Sequence, residues 1–223
     1  CYYYWNQILD NKRSFKMTHD YWGPGFSNDE IRAALDDSLV RYEYLENPER
    51  QAAQSISEGK IICWFQGRME SGNRALGNRS ILADPRDPDM KNKINKLVKH
   101  RERYRPFAPS VLEEYQDEYF ESSHPSIFMQ MVHMIREEKR EILPAVTHVD
   151  GSGRLQTVRK ETNPKYWNLI NEFKKITGEA VVLNTSFNDN DEPIVCTPKQ
   201  AIRTFFGTGL YELYMGNYRV KKG

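Results

Sequence analysis

Four prolines limit what this chain can fold into. Pro48, Pro88, Pro164 and Pro198 each open a stretch with helical spacing of apolar residues. A helix accepts proline in its first turn, where the missing N–H would have no intrahelical partner anyway. Two of these stretches stop at a glycine, Gly59 and Gly178, and run into the short apolar segments IICWF (residues 61–65) and AVVLN (residues 180–184). Apolar runs of that length bounded by turn residues read as buried strands. Proline-started helices feeding apolar strands predict an α/β protein. Further strand signals break the alternation: IFMQMVHMI (127–135), a predicted β-hairpin of AVTHVD (145–150) and RLQTVR (154–159) around Gly151-Ser152-Gly153, and a closing strand pair that turns at Gly216-Asn217. Such irregularity favours a mixed sheet with flanking helices over a purely parallel one.

The helices carry their own start signals and inner faces. Asn47 caps the Pro48 helix, and Met90, Ile94, Leu97 and Val98 form one face of the helix behind Pro88. Trp167, Ile170 and Phe173 form the inner face of the helix from Pro164 to about Ile176. Residues 1–46 look separate from the body at 47–223: an aromatic run CYYYW, a WGPG turn, and a helix opened by a Ser27/Glu30 capping box with Ile31, Ala34, Leu35 and Leu39 as its buried stripe. Residues 136–140 (REEKR) read as a solvated loop or helix face.

Composition narrows the class. The chain has 223 residues, 39% of them hydrophobic and 28% charged, which is ordinary for a soluble domain with a real core. No apolar run approaches the roughly 18 residues of a membrane span, and no signal-peptide pattern is present, so a cytoplasmic protein without a membrane partner is expected. Cys1, Cys63 and Cys196 form no C-x-x-C pair, and the five histidines lack metal-site spacing, so reduced thiols and no protein-held metal are expected. The net charge of +1 hides a cluster: residues 68–105 hold eleven Lys or Arg against five Asp or Glu. A one-sign cluster in a near-neutral chain reads as a local anion site rather than a general nucleic-acid surface.

Four stretches are candidates for chemistry. In RMESGNRALGNRS (68–80), Arg68, Arg74 and Arg79 offer paired donors for phosphate or carboxylate beside Ser80, and Gly67, Gly72 and Gly77 let the backbone come close. The bland alternative is surface pairing with Glu70, Asp84 and Asp87. In residues 99–105, Lys99, Arg101, Arg103 and Arg105 would share one side of an extended segment, and a polyphosphate such as a nucleoside triphosphate would offset their repulsion. A helix through Arg103 would instead scatter them. Asn184, Thr185, Ser186 and Asn188 leave a strand's C-terminal end, where nucleotides bind in α/β proteins, although any turn also looks like this. His148, beside Asp150 and Arg154, either moves a proton or is structural.

Taken in order, GRMESGNRALGNRSILADPR, NKLVKHRERYRPFAPSV, PAVTHVDGSGRLQTV, VVLNTSFNDNDEPIVCTP and GNYRVKK resemble the C-terminal domain of the NodU/TobZ-type carbamoyltransferase family, which includes nodulation and antibiotic-tailoring enzymes. The resemblance covers residues 47–222, and residues 1–46 resemble the end of the family's first domain and its connector. It implies a YrdC-like twisted α/β sheet whose basic face binds ATP and carbamoyl phosphate and forms carbamoyl adenylate. A separate N-terminal domain, absent from this sequence and holding Fe2+ through histidines, would then carbamoylate an acceptor hydroxyl. By the same resemblance Lys99, Arg101 and Arg105 line the phosphates, with Lys99, Arg105 and His148 as the catalytic set. Asn184, Thr185, Ser186 and Asn188 would hold the nucleotide, and Arg68, Arg74, Arg79 and Ser80 would complete the anion pocket. Mg2+ would be held mainly through ATP. The implied partner is the upstream domain of the same polypeptide, with a homodimer left open by the aromatic residues 2–5. The chain departs from the family at Ser71-Gly72-Asn73, where relatives carry an aromatic residue and then Gly-Pro. The competing reading is a non-catalytic RNA-binding or scaffolding module with a YrdC-like basic surface; few aromatics lie among the arginines, which disfavours nucleic acid.

Overall fold

Local capping chemistry sets the helix starts. Ser27 and Glu30 form a reciprocal capping box, as do Thr197 and Gln200. The Asn47 and Asn163 side chains accept the backbone N–H groups of Arg50 (3.0 Å) and Tyr166 (3.2 Å), each just ahead of a first-turn proline. A computed structural model of the chain describes residues 1–102, 104–122 and 124–222. In chain order its elements are α1 (Asn28–Asp37), β1 (Glu43–Tyr44), α2 (Pro48–Ser57), β2 (Ile62–Phe65), β3 (Arg79–Ala83), α3 (Met90–Ile94), β4 (Ala108–Leu112), α4 (Gln116–Tyr119), β5 (Phe120–Glu121), β6 (Val132–Ile135), α5 (Glu137–Arg140), β7 (Ser152–Arg154), β8 (Gln156–Val158), α6 (Pro164–Thr177), β9 (Val181–Ser186), α7 (Pro198–Gly207), β10 (Glu212–Met215) and β11 (Tyr218–Lys221).

The main sheet has eight strands in the order β1-β11-β10-β2-β3-β9-β4-β8. β10–β2 and β4–β8 are parallel and the other pairs antiparallel, so the sheet is mixed as the irregular alternation implies. A second sheet, β5-β6-β7, is antiparallel. α2 and α6 pack on each other over β2, β4 and β9, and α1 pairs with α7, which covers β2. Every residue of β2, β3, β4 and β10 is buried, so the core runs along the middle of the large sheet. No helix among the described residues is long and apolar enough to cross a membrane.

Several sequence expectations are corrected. The hairpin around Gly151 does not exist: β7 pairs with β6 in the small sheet and β8 with β4 in the large one, so the chain changes sheets at Leu155. Ala145 and Val146 lie buried in a turn, and residues 147–148 form no strand. The apolar run 127–135 shortens to β6. Tyr166, not Trp167, joins Ile170 and Phe173 in the core, and Leu39 is 93% exposed, having left the α1 stripe with φ +53°. Lys99, Arg101 and Arg105 do not share one side of an extended segment. α3 continues into a π-helical turn, Asn95–Lys99, which closes at His100 with φ +45°. Lys99 therefore projects from a helical turn and Arg101 and Arg105 from the loop beyond it; Arg103 lies outside the described residues. Residues 136–140 hold the one-turn helix α5.

Nor is residue 46 a boundary in packing. Ile31, Ala34, Leu35 and Leu45 belong to the same core cluster as β2, β3 and β9, and β1 extends the large sheet by pairing with β11. Leu35→Ala is accordingly expected to lower the stability of the whole chain by about 2–5 kcal/mol. Urea unfolding followed by tryptophan fluorescence checks this; a main transition that stays put would show that residues 27–46 fold as a separate unit.

Candidate anion-binding site

Antiparallel pairing builds the site's floor. β9 ends where β4 begins, with Asn184 opposite Ala108, so the polar end of β9 meets the loop that carries Arg101 and Arg105. Arg154, the last residue of β7, and the irregular loop of residues 73–75 close the sides. The result is a recess of about 180 Å3 lined by Asn73, Arg74, Arg101, Arg105, Phe107, Met129, Arg154, Asn184, Thr185 and Ser186, among others. Its lining contains four arginines and no carboxylate.

The charges in this recess repel each other. Burial, then the nearby Arg105 and Arg154, pull the Arg101 guanidinium down to about 10. Arg154 is lowered by burial and by Arg74. The Nε atoms of both Arg101 and Arg154 are buried without a hydrogen-bond partner. The Arg101 guanidinium is steadied by the Phe107 ring, 4.5 Å below it, rather than by an opposite charge. Arg105, about half exposed, has only Glu102 at 4.0 Å. Half-buried cations with donors to spare, such as Arg101 and Arg154, are complementary to an anion with several oxygens.

A second row supports the recess. Lys99 is buried, and its Nζ donates to the Ser186 carbonyl (2.6 Å), to Asn188 Oδ1 (2.8 Å) and to the Asn188 carbonyl (2.9 Å). Burial and the neighbouring Arg101 pull its ammonium down to about 7. Asn184 Nδ2 is shared among the Ala75 carbonyl, Ser110 Oγ and Gln156 Oε1, which leaves its buried Oδ1 without a partner.

Of the residues singled out in the sequence, the fold gathers Arg74, Arg101, Arg105, Asn184, Thr185 and Ser186 at the recess, with Lys99 and Asn188 one step behind. Four others are placed elsewhere. Arg79 is wholly buried: its Nη1 donates to the carbonyls of Gln66 (2.6 Å) and Asn78 (3.0 Å), its Nη2 to that of Pro24 (3.2 Å), and it stacks on Phe65 at 3.6 Å. Arg68 donates to the carbonyls of Gly23 (2.9 Å) and Trp22 (2.7 Å). Ser80 sits inside β3 and accepts the Gly77 N–H at 3.1 Å. His148 bonds through Nδ1 to Ser152 Oγ (3.0 Å), which itself donates to Asp150 at 2.6 Å; burial holds the imidazole below its usual range. Arg154 and Asn73 are the residues that sequence reasoning did not place in the site. The signal for Arg154 was its alternation with Ser152 on β7. A larger groove of about 690 Å3 among Tyr2, Tyr4, Trp5 and Phe15 is lined by rings and few converging polar groups.

Residues 53–222 match the family described as carbamoyltransferase C-terminus. This chain belongs to that family. It is 49% identical over 226 residues to nodulation protein NolNO of Sinorhizobium fredii, covering 97% of this chain and 33% of that protein. It is 48% identical to nodulation protein NolO of Bradyrhizobium diazoefficiens, covering 91% of this chain and 38% of that protein. To the 3'-hydroxymethylcephem-O-carbamoyltransferase of Amycolatopsis lactamdurans it is 36% identical over 78% of this chain and 32% of that one. The chain thus spans about a third of the length of these curated relatives. In fold it is similar to full-length HypF in its phosphate- and nucleotide-bound form, with a TM-score of 0.52 at 15% identity over 75% of this chain and 21% of that one. The family domain is a YrdC-like mixed α/β sheet with flanking helices.

Arg79→Ala strands buried carbonyls and should cost about 1–3 kcal/mol in a urea titration. Arg105→Ala should leave stability within about 0.5 kcal/mol while weakening the binding of inorganic pyrophosphate. For Lys99 the sign is set by its lowered value: an anion in the recess favours the ammonium, so binding takes up a proton between pH 7 and the ordinary lysine value of about 10.4, and affinity falls as pH rises through that window. Titration calorimetry of pyrophosphate in two buffers of different ionisation enthalpy should read the uptake, and Lys99→Met should abolish it.

Proposed function

We propose that this domain binds ATP and carbamoyl phosphate and forms carbamoyl adenylate, the activating half of an O-carbamoyltransferase. The observation that carries the reading is the convergence of Arg74, Arg101, Arg105 and Arg154 on a recess without a carboxylate. In the reaction water first cleaves the phosphorus–oxygen bond of carbamoyl phosphate, releasing inorganic phosphate and carbamate; a carbamate oxygen then attacks the α-phosphorus of ATP, the bond from that phosphorus to the pyrophosphate oxygen breaks, and pyrophosphate leaves. Two anions have to approach, and negative charge builds on the phosphoryl oxygens in the transition state. Fixed guanidinium groups lower that barrier without exchanging protons, and because they are already in place they need no reorganisation when the charge develops.

The roles divide by position. Arg74, Arg101, Arg105 and Arg154 contact phosphoryl oxygens. Thr185, Ser186 and Asn184 face the nucleotide from the end of β9. Lys99 acts through Ser186 and Asn188, whose oxygens accept its four contacts, rather than on the phosphates directly. His148 serves the turn before β7 rather than carbamoyl phosphate. The recess of about 180 Å3 is smaller than the roughly 300–1,000 Å3 of a pocket for a drug-sized ligand, so it suits the phosphate end of ATP, with the nucleoside towards the open side. Mg2+ would arrive with ATP and be held by its oxygens and water, since the lining offers no carboxylate. Transfer to the acceptor hydroxyl, and the Fe2+ expected for it, we assign to the part of the relatives' length that this chain does not span.

The test is carbamoyl-phosphate-dependent exchange of labelled pyrophosphate into ATP. Exchange in the wild-type chain that drops at least about tenfold in Arg105→Ala is the expected result. A folded chain that neither exchanges nor binds ATP rules the reading out.

A further inference from the structure

The wall that carries Asn73 and Arg74 contains no helix or strand, so side chains must hold it in place. Two carboxylates do so, one at each end. Buried Glu70 accepts the N–H groups of Leu76 (2.6 Å) and Asn78 (2.9 Å) on a single oxygen and fixes the far end. At the near end the carboxylate comes from far away in the sequence. Asp20 Oδ2 accepts the Gly72 N–H at 2.9 Å, its Oδ1 accepts the Ser71 hydroxyl, and its carbonyl accepts the Ser71 N–H at 2.8 Å.

Asp20 is itself held. Its segment runs beside the loop: the Gly23 N–H donates to Met69 O (2.9 Å), the Met69 N–H to Pro24 O (2.9 Å), and the Tyr21 hydroxyl to Leu76 O (3.0 Å). Arg68, which the sequence suggested for the anion pocket, spends its guanidinium on the carbonyls of Trp22 and Gly23. Close approach is built in. A Cβ on Gly72 would fall 2.7 Å from Asp20 Oδ2, and one on Gly23 would fall 2.8 Å from Met69.

We propose that Asp20 is a positioning residue of the anion site, setting the Asn73–Arg74 wall through Ser71 and Gly72. The proposal rests on the reading that the recess takes a phosphate-bearing anion. Asp20 touches no substrate; it fixes the two residues directly ahead of Asn73 and Arg74, and it lies outside the residues that match the family. Without it the loop keeps its Glu70 anchor and Arg74 its charge, but the guanidinium loses its fixed place.

The 223-residue chain and its variants Asp20→Ala, Asp20→Asn, Arg74→Ala and Asp20→Ala/Arg74→Ala would be compared in the binding of inorganic pyrophosphate and ATP, with amide hydrogen exchange over residues 71–78. Asp20→Ala should weaken both anions about tenfold, as loss of a group that orients a ligand-binding side chain does, and should speed exchange at Gly72 while the urea midpoint stays near that of the wild type. Asp20→Asn, which keeps an acceptor in place, should recover most of the affinity. The double variant should bind no more weakly than Arg74→Ala alone, because Asp20 acts through Arg74. Asp20→Ala binding like the wild type, or a double variant showing the product of the two single losses, overturns the role of Asp20. A wild-type chain that binds neither anion overturns the reading of the recess and this proposal with it, whereas a wild type that binds and an Asp20→Ala that binds equally well overturns the role of Asp20 alone.

Discussion

Like charges gathered on a recess whose described lining holds no carboxylate form the constraint around which this structure is arranged. Arg74, Arg101, Arg105 and Arg154 face one recess, and Lys99 stands behind them. Left to themselves such groups would swing apart into water, where each is well solvated. They stay because each comes from a different part of the chain that is fixed for other reasons: β7 for Arg154, the loop behind the π-helical turn for Arg101 and Arg105, and the doubly anchored loop for Arg74. Neutral groups perform most of the restraint, the Phe107 ring under Arg101 and the backbone carbonyls around Lys99 among them. A carboxylate in the recess would stabilise the empty domain, but it would also occupy the place of the anion.

This arrangement suits chemistry in which two anions must meet. A guanidinium keeps its charge across the physiological range, so it can neutralise phosphoryl oxygens without entering proton transfer. Lys99 differs: buried near Arg101 and lowered to about 7, it gains most from an incoming anion, and it sits where it can pass that gain to Ser186 and Asn188. The chain belongs to the carbamoyltransferase C-terminus family, whose match runs over residues 53–222.

The arginine- and glycine-rich motif of residues 68–80 shows how far composition reaches. Its three arginines look equivalent in the sequence, since each has the same five donors and flexible neighbours. In the fold Arg79 spends its donors on buried carbonyls, Arg68 spends its own on Trp22 and Gly23, and only Arg74 faces the recess. The glycines also divide by role. Gly77, with φ +101°, lies against the Tyr166 ring, and Gly72 makes room for the Asp20 carboxylate. Ser71 and Gly72 are where Asp20 binds.

Helix starts, glycine stops and the buried strands were legible in the sequence because capping, proline geometry and apolar runs act over a few neighbouring residues. These determined the α/β class, α1, α2, α6 and α7, and the strands β2, β9, β10 and β11 almost to the residue. The positive cluster was legible for the same reason, as a local excess of charge. Which cations converge was decided only by the tertiary structure. Convergence depends on strand order and register, on Asn184 standing opposite Ala108 and β7 leaving the large sheet for the small one, and these are settled by contacts between residues far apart in the chain. Only there does a buried carbonyl compete with an anion for an arginine's donors, and burial settles that competition.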